Sequence, residues 1–314
     1  MAEKMSRHQV DTGWYVTASV RRSQRHLVAD DTDRNALYYP RSVAKVVSHP
    51  LIAGNDDVVR DVLALSLMHY LDSTVVLEQQ IVNPCFLTIC DDQLPVSLPA
   101  EARSRAYMYY CDEAYHALCA DDLGTQVRER TGLALTKRTP GFLIDLGDAL
   151  LQVSGDHLRA LVELAFTIVS ETLISQSLLR IPADPTVVPA VRASVADHAR
   201  DEKNHHAYFA RFLPVFWPLL DSRTQEALGR LFPRFIRSFL EPDRTALAFI
   251  LRQYVTAEEA EIIITETYPP TVVDSDVRAA ARATLNLCER TGMMRIPAIA
   301  SEFERAHLVR VPHH

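Results

Sequence analysis

The residues whose types and spacing could do chemistry lie between Asp197 and Tyr208, which read Asp-His-Ala-Arg-Asp-Glu-Lys-Asn-His-His-Ala-Tyr. On a helix His198, Glu202 and His205 fall at i, i+4 and i+7 and share one face. Val191, Val195 and Phe209 continue that face in apolar residues, so it is expected to point into a core. Two imidazoles and a carboxylate buried together must be paired or neutralised, because lone buried charges are costly. A bound cation does this directly. The element Asp-Glu-x-x-His occurs twice, starting at Asp112 and at Asp201. With 17 Glu and 12 His in the chain, chance supplies Glu-x-x-His at a rate of about 0.6, the version with a leading Asp at about 0.05, and two such copies at about a thousandth. One copy would be noise; the pair is a signal.

Four helices must position these residues. The first pattern starts at Asn55 or Asp56, either a good N-cap, and runs to about residue 82, where Asn83-Pro84 is expected to stop it. Its inner face reads Leu63, Leu67, Tyr70, Thr74, Leu77, Glu78 and Ile81, with one acid among apolar positions. A loop holding Cys85, Cys90 and Asp91-Asp92 leads to Pro99, and a second helix is expected to end near Asp122, before Gly124. That helix places Tyr109, Glu113, His116 and Ala120 inward. A third, strongly apolar segment spans 156–182, with Leu164, Thr167, Ile168, Glu171, Ile174, Ser175 and Leu178 on one face. The fourth, 187–212, carries the opening motif. Further helical patterns occur at 222–240, 244–267 and 274–290, and 1–54 reads as an irregular arm with one short helix and no chemistry. Nothing alternates with period two, so the expected fold is all-α, one domain made of an arm (1–54), a bundle (55–212) and additional packing helices (213–314).

Glu78, Glu113 with His116, Glu171, and Glu202 with His205 match the ligand set of a dinuclear carboxylate site in a helix bundle: one Glu from each of two helices and Glu-x-x-His from each of the other two. Such oxygen- and nitrogen-rich ligation suits iron, or manganese, over metals that prefer thiolate. Asp112 and Asp201, at i, i+4 from His116 and His205, are expected to accept from imidazole N–H groups, across helices, and so fix their tautomers. His206 points about 100° away from His205 and is not assigned as a ligand.

Composition narrows the classes. A 48% hydrophobic, 23% charged chain is ordinary globular composition, not disorder. Net charge of -7 and a pI of about 5.9, with no basic cluster, exclude a nucleic-acid surface. No run of 18 apolar residues exists to span a membrane. Residues 1–20 are polar and broken by charge, unlike a secretory signal. Five Cys with no Cys-x-x-Cys pair fit reduced thiols in a cytoplasmic protein.

On Glu78, Glu113-x-x-His116, Glu171 and His198-x-x-x-Glu202-x-x-His205, in this order, the bundle core (about 56–212) resembles the non-haem dinuclear iron N-oxygenases of the p-aminobenzoate N-oxygenase type. Ferritin-like sites with six protein ligands lack the third His one turn before the last Glu-x-x-His; His198 occupies that place. The resemblance implies a ferritin-like bundle that binds two iron ions, takes dioxygen as co-substrate and draws electrons from an external donor, a reductase or small reductant. It implies oxidation of a small amine, aminobenzoate-like or an amino-heteroarene such as 2-aminoimidazole, to the hydroxylamine or nitro level, in natural-product biosynthesis, by a homodimer. An Arg late in the chain, Arg278 or Arg282, is the candidate for a substrate carboxylate. Tyr70, Thr74, Thr167 and Ser175, one turn from the ligands, are the candidate pocket lining, and their hydroxyls leave room for a polar heteroarene.

Other classes share part of this pattern. A ferroxidase needs little beyond four helices. The radical subunit of ribonucleotide reductase carries Tyr where this chain has Ala120. An acyl desaturase or hydroxylase fits six of the seven positions. A metal-free helical scaffold would leave buried acids without partners.

Overall fold

The computed structural model describes residues 13–29, 36–173 and 175–309. Ile174, read above as part of an inner face, lies outside them. Among the described residues there is no strand; Leu37 and Val187 form one isolated parallel bridge. The fold is all-α and ferritin-like, with a four-helix bundle at its centre.

Among the described residues the N-terminal arm holds three short α-helices, α1 (Trp14–Thr17), α2 (Ser19–Arg22) and α3 (Pro50–Ala53), with a 3-10 turn at Lys45–Ser48. The first bundle helix, α4 (Asp56–Leu77), opens on Asn55, whose side-chain oxygen accepts from the Asp57 and Val58 amides while Asp56 and Asp57 sit favourably in the first turn. It does not stop at Asn83-Pro84. A π turn spans Glu78–Val82, in which the Asn83 N–H reaches back five residues to the Glu78 carbonyl, and α5 (Asn83–Cys90) continues the rod. Proline has no N–H and its ring crowds the carbonyl four residues back; the wider turn removes both conflicts. Cys85 and Cys90 therefore lie on a helix, and the loop is confined to residues 91–99.

Helix α6 (Ala100–Thr131) passes through Gly124 and ends where Gly132 adopts a left-handed φ of 69°. An interior Gly costs only about 1 kcal/mol, and buried Leu123 and Val127 on either side outweigh it. After α7 (Gly141–Leu151), unforeseen in the sequence, the apolar segment proves to be two helices, α8 (Asp156–Thr172) and α9 (Gln176–Ala183). The break has a distant cause: the buried Thr284 hydroxyl donates to the Thr172 carbonyl at 2.9 Å, and Ser175 begins α9 as its N-cap, accepting from the Leu178 amide at 3.1 Å. Helix α10 (Pro189–Phe216) runs one turn further than expected, through Pro214.

Helices α4, α6, α8 and α10 pack side by side, and α5 lies on α6 and α8. The later patterns resolve into shorter helices: α11 (Ser222–Gly229), α12 (Phe232–Leu240), α13 (Arg244–Leu251), α14 (Ala257–Thr267), α15 (Pro270–Ala280), α16 (Arg282–Arg290) and α17 (Pro297–Arg305). Of these α12 and α16 pack on α8, and α13 packs on α4. Phe86 and Phe209 are fully buried against each other between α5 and α10, and Phe166 and Phe235 between α8 and α12, each worth about 1.5–3 kcal/mol of burial.

Candidate metal centre

Seven side chains converge between α4, α6, α8 and α10. Glu78 comes from the π turn, Glu113 and His116 from α6, Glu171 from the last turn of α8, and His198, Glu202 and His205 from α10. Glu78, Glu113, His116, Glu171 and His205 are buried. Their ligand atoms form two overlapping groups able to hold a metal ion, Glu113–His116–His198–Glu202 and Glu113–Glu171–Glu202–His205, in each of which all atoms lie within 4.8 Å of one another. Glu113 and Glu202 belong to both. His116 Nδ1 is 2.7 Å from Glu113 Oε2, and His205 Nδ1 is 2.6 Å from Glu113 Oε1, 3.2 Å from Glu202 and 3.6 Å from Glu171. His198 faces inward: its Nε2 lies 3.2 Å from Glu202 and 3.9 Å from Glu78, and its ring stacks on His116 at 4.1 Å.

The outer nitrogens of the two imidazoles are held across helices. His205 Nε2 donates to Asp112 Oδ2 at 3.2 Å, and His116 Nε2 donates to Asp201 Oδ2 at 3.2 Å. An ionised carboxylate can only accept, so each pair fixes Nε2 as a donor and turns Nδ1 to the cluster, where its lone pair can ligate once the imidazolium proton leaves. The arm, read above as chemically silent, closes both pairs. The Trp14 indole N–H donates to Asp112 at 2.9 Å, and the Ser19 amide donates to both Asp201 oxygens at 3.2 and 3.1 Å.

Electrostatics mark the cluster as short of positive charge. Burial drives the Glu78 carboxyl well above its ordinary range, and the charges of Glu113, Glu171 and Glu202 push the same way. Glu171 is raised by burial and by Glu202 and Glu113. Burial opposes a charge on His116 and His205, but neighbouring carboxylates, Glu113 foremost, outweigh it, taking His116 to about 10 and His205 well above the imidazole range. Burial also opposes charge on Glu113, yet His205 and His116 hold it at about 2. Glu78 Oε2 and Glu171 Oε2 are buried without a hydrogen-bond partner. Four carboxylates and three neutral imidazoles match the charge of two divalent ions, and buried oxygens without partners are what such ions would satisfy.

Beside the cluster lies a cavity of about 560 Å³, bounded by Glu78, Glu171, His198 and Glu202. Tyr70, Thr74 and Ser175 line it as expected, although the Ser175 hydroxyl also serves as a helix cap. Two expectations require correction. Thr167 is fully buried, donates to the Glu163 carbonyl and faces the packing against α5 instead of the cavity. Arg278 projects about 100° from the cavity-lining Val277 and donates to the His307 carbonyl at 2.9 Å, while Arg282 is exposed. The cations at the cavity are Lys45, paired with Asp276 at 2.7 Å, and Arg244, bonded to the Tyr268 carbonyl at 2.6 Å. Sequence reasoning missed Tyr39, which lines the cavity, shares a 2.5 Å hydrogen bond with Ser177 and lies 6.3 Å from the Tyr70 ring. It missed Trp14 and Ser19 as well; the rarity of Trp, present twice, was the one clue.

A family model described as P-aminobenzoate N-oxygenase AurF matches residues 16–292. The chain belongs to this family. Membership in the AurF family makes it an oxidoreductase of the N-oxygenase kind, with a dinuclear metal centre and a small-molecule substrate. Comparison with the curated proteins gives no match. Among the described residues, no helix is long and apolar enough to cross a membrane.

Proposed function

We propose that this chain holds two iron ions between Glu78, Glu113, His116, Glu171, His198, Glu202 and His205, and uses dioxygen and external electrons to oxidise the amino group of a small aromatic or heteroaromatic amine to the hydroxylamine or nitro level. The observation that carries the reading is the pair of overlapping ligand groups sharing Glu113 and Glu202 beside a cavity of ligand size. Loaded iron supplies the activation of dioxygen; the protein supplies everything around it. Glu113 and Glu202 belong to both ligand groups and would help to hold both ions. Glu78 and His198 complete one side, Glu171 the other. Asp112 and Asp201 keep the imidazole tautomers productive, and Phe86 and Tyr109, packed on the His205 ring at 6.4 and 4.6 Å, exclude water from that side. Tyr39 and Tyr70 offer aromatic walls to a planar amine, and the Thr74 hydroxyl offers a polar contact near Glu78.

Manganese suits the same donors, so the metal is part of the proposal. A cytoplasmic setting is supported by five free thiols, while a reductase partner, a homodimer and a place in natural-product biosynthesis rest on the family resemblance. The test is reconstitution with ferrous iron followed by dioxygen and a panel of aminoarenes and amino-heteroarenes. Mass spectrometry should find a hydroxylamino or nitro product from at least one amine. Iron uptake with no N-oxidised product from any amine, or no iron uptake at all, overturns the reading.

A further inference from the structure

Trp14 sits half-buried on α1, two residues before the region the family model matches. Its indole N–H donates to Asp112 Oδ2 at 2.9 Å, and the same oxygen accepts from His205 Nε2 at 3.2 Å. The opposite nitrogen of that imidazole faces Glu113, Glu202 and Glu171. One indole, one carboxylate oxygen and one imidazole thus form an unbroken hydrogen-bonded run from the surface to the cluster. Tyr15 meets the indole edge-on at 5.1 Å and is itself 50% exposed, so an aromatic surface extends the run to solvent. In the other half the corresponding carboxylate, Asp201, is held by a backbone amide of Ser19, with no ring in the path.

Electrons tunnel far more readily along bonds and hydrogen bonds than across gaps, and on the reading above the buried cluster takes its electrons from an external donor. We propose that Trp14 is the entry point for those electrons, coupled through Asp112 to His205. The inference rests on the two-iron reading above. Each passage removes one electron from a one-electron donor of the iron–sulfur or flavin class and reduces one ferric ion to ferrous; two passages reduce the pair. The indole is neither oxidised nor reduced in the net step, and the hydrogen bonds along the run keep their protons.

Iron-loaded, oxidised protein mixed anaerobically with a reduced two-iron ferredoxin reports the step as loss of the ferric near-ultraviolet absorption. Trp14→Phe should slow that loss by about tenfold or more, with iron content and amine affinity unchanged. Trp14→His, which keeps an aromatic N–H donor, should recover most of the rate. An unchanged rate in Trp14→Phe overturns the inference. So does a slower rate that tracks lost iron, or an equal slowing in Ser19→Pro, since either makes the arm a structural clamp. A chain that takes up no iron overturns both this inference and the function it rests on, whereas normal iron and normal amine oxidation with an indifferent Trp14 removes the inference alone.

Discussion

The two halves of the cluster begin alike and end differently. His116 and His205 each stand three residues after a Glu on a long helix, and each gives its outer nitrogen to the Asp of the opposite motif. Beyond the Asp the symmetry ends. Asp112 meets a side chain, the Trp14 indole, and its Oδ1 is buried without a partner. Asp201 meets a main-chain amide that engages both its oxygens. A recurring five-residue motif therefore repeats one Glu-His-Asp arrangement, and the two halves are made inequivalent by His198 on one side within the cluster and by a short arm far away in sequence outside it. Likeness of ligands does not imply likeness of role.

The comparison can be broken most severely through what the halves share. Removing either shared carboxylate, by Glu113→Ala or Glu202→Ala, should strip a ligand from both groups at once, so that elemental analysis finds both ions lost and N-oxygenation ceases. A drop to one retained ion would instead assign that carboxylate to a single half. Acidity acts on both halves as well. With no cation, Glu78, Glu171, His116 and His205 are all raised above their ordinary ranges, so loading metal onto them must release protons. Metal affinity should therefore climb with pH until His116 loses its own proton near 10 and fall as the solution is acidified; calorimetry in buffers of different ionisation enthalpy counts the protons.

Smaller changes separate the halves. Asp112→Asn and Asp201→Asn should each weaken metal retention by about 10–100-fold, but in different ions, and competition with a chelator should show one ion leaving early in each variant. Ser19→Pro removes the amide that holds Asp201, together with the hydroxyl that donates to the Asp197 carbonyl one turn away on α10, at the first turn of α2, where proline fits the backbone. It should cost about 1.5–3 kcal/mol of stability, as for a hydrogen bond to a charged group, and loosen only the Asp201 side, read by thermal unfolding of the loaded protein. Gly132→Ala, outside both halves, serves as the baseline. Its left-handed φ should make alanine cost about 1 kcal/mol with metal content untouched.

The inner site was legible because helical spacing is a local property. Glu113 and His116, or His198, Glu202 and His205, share a face whatever the rest of the chain does, and the repeated Asp named the outer acceptors. The hidden part was non-local. Trp14 and Asp112 are 98 residues apart, and Ser19 and Asp201 are 182 apart, so no pattern within a window could pair them. Helix limits failed for the same reason. Gly124 and Pro84 look like stops, yet burial and a π turn carry the helices past them, while the real break after Thr172 is made by a hydroxyl from α16. Arg278 was chosen by position in the chain, which says nothing of the direction in which its side chain leaves α15.

The wide turn at Glu78–Val82 bears on how this rod tolerates change in length. A regular helix would bond the Asn83 amide to Gln79; the one surplus residue is what lets Glu78 on one side and Phe86 on the other both look inward. On a regular helix eight residues would set Glu78 and Phe86 about 80° apart, whereas seven would set them only about 20° apart. The wide turn thus absorbs one residue and keeps both flanks in phase. A chain shortened by Gln79 or Gln80, both exposed, should keep its helical content, its inward face and its metal.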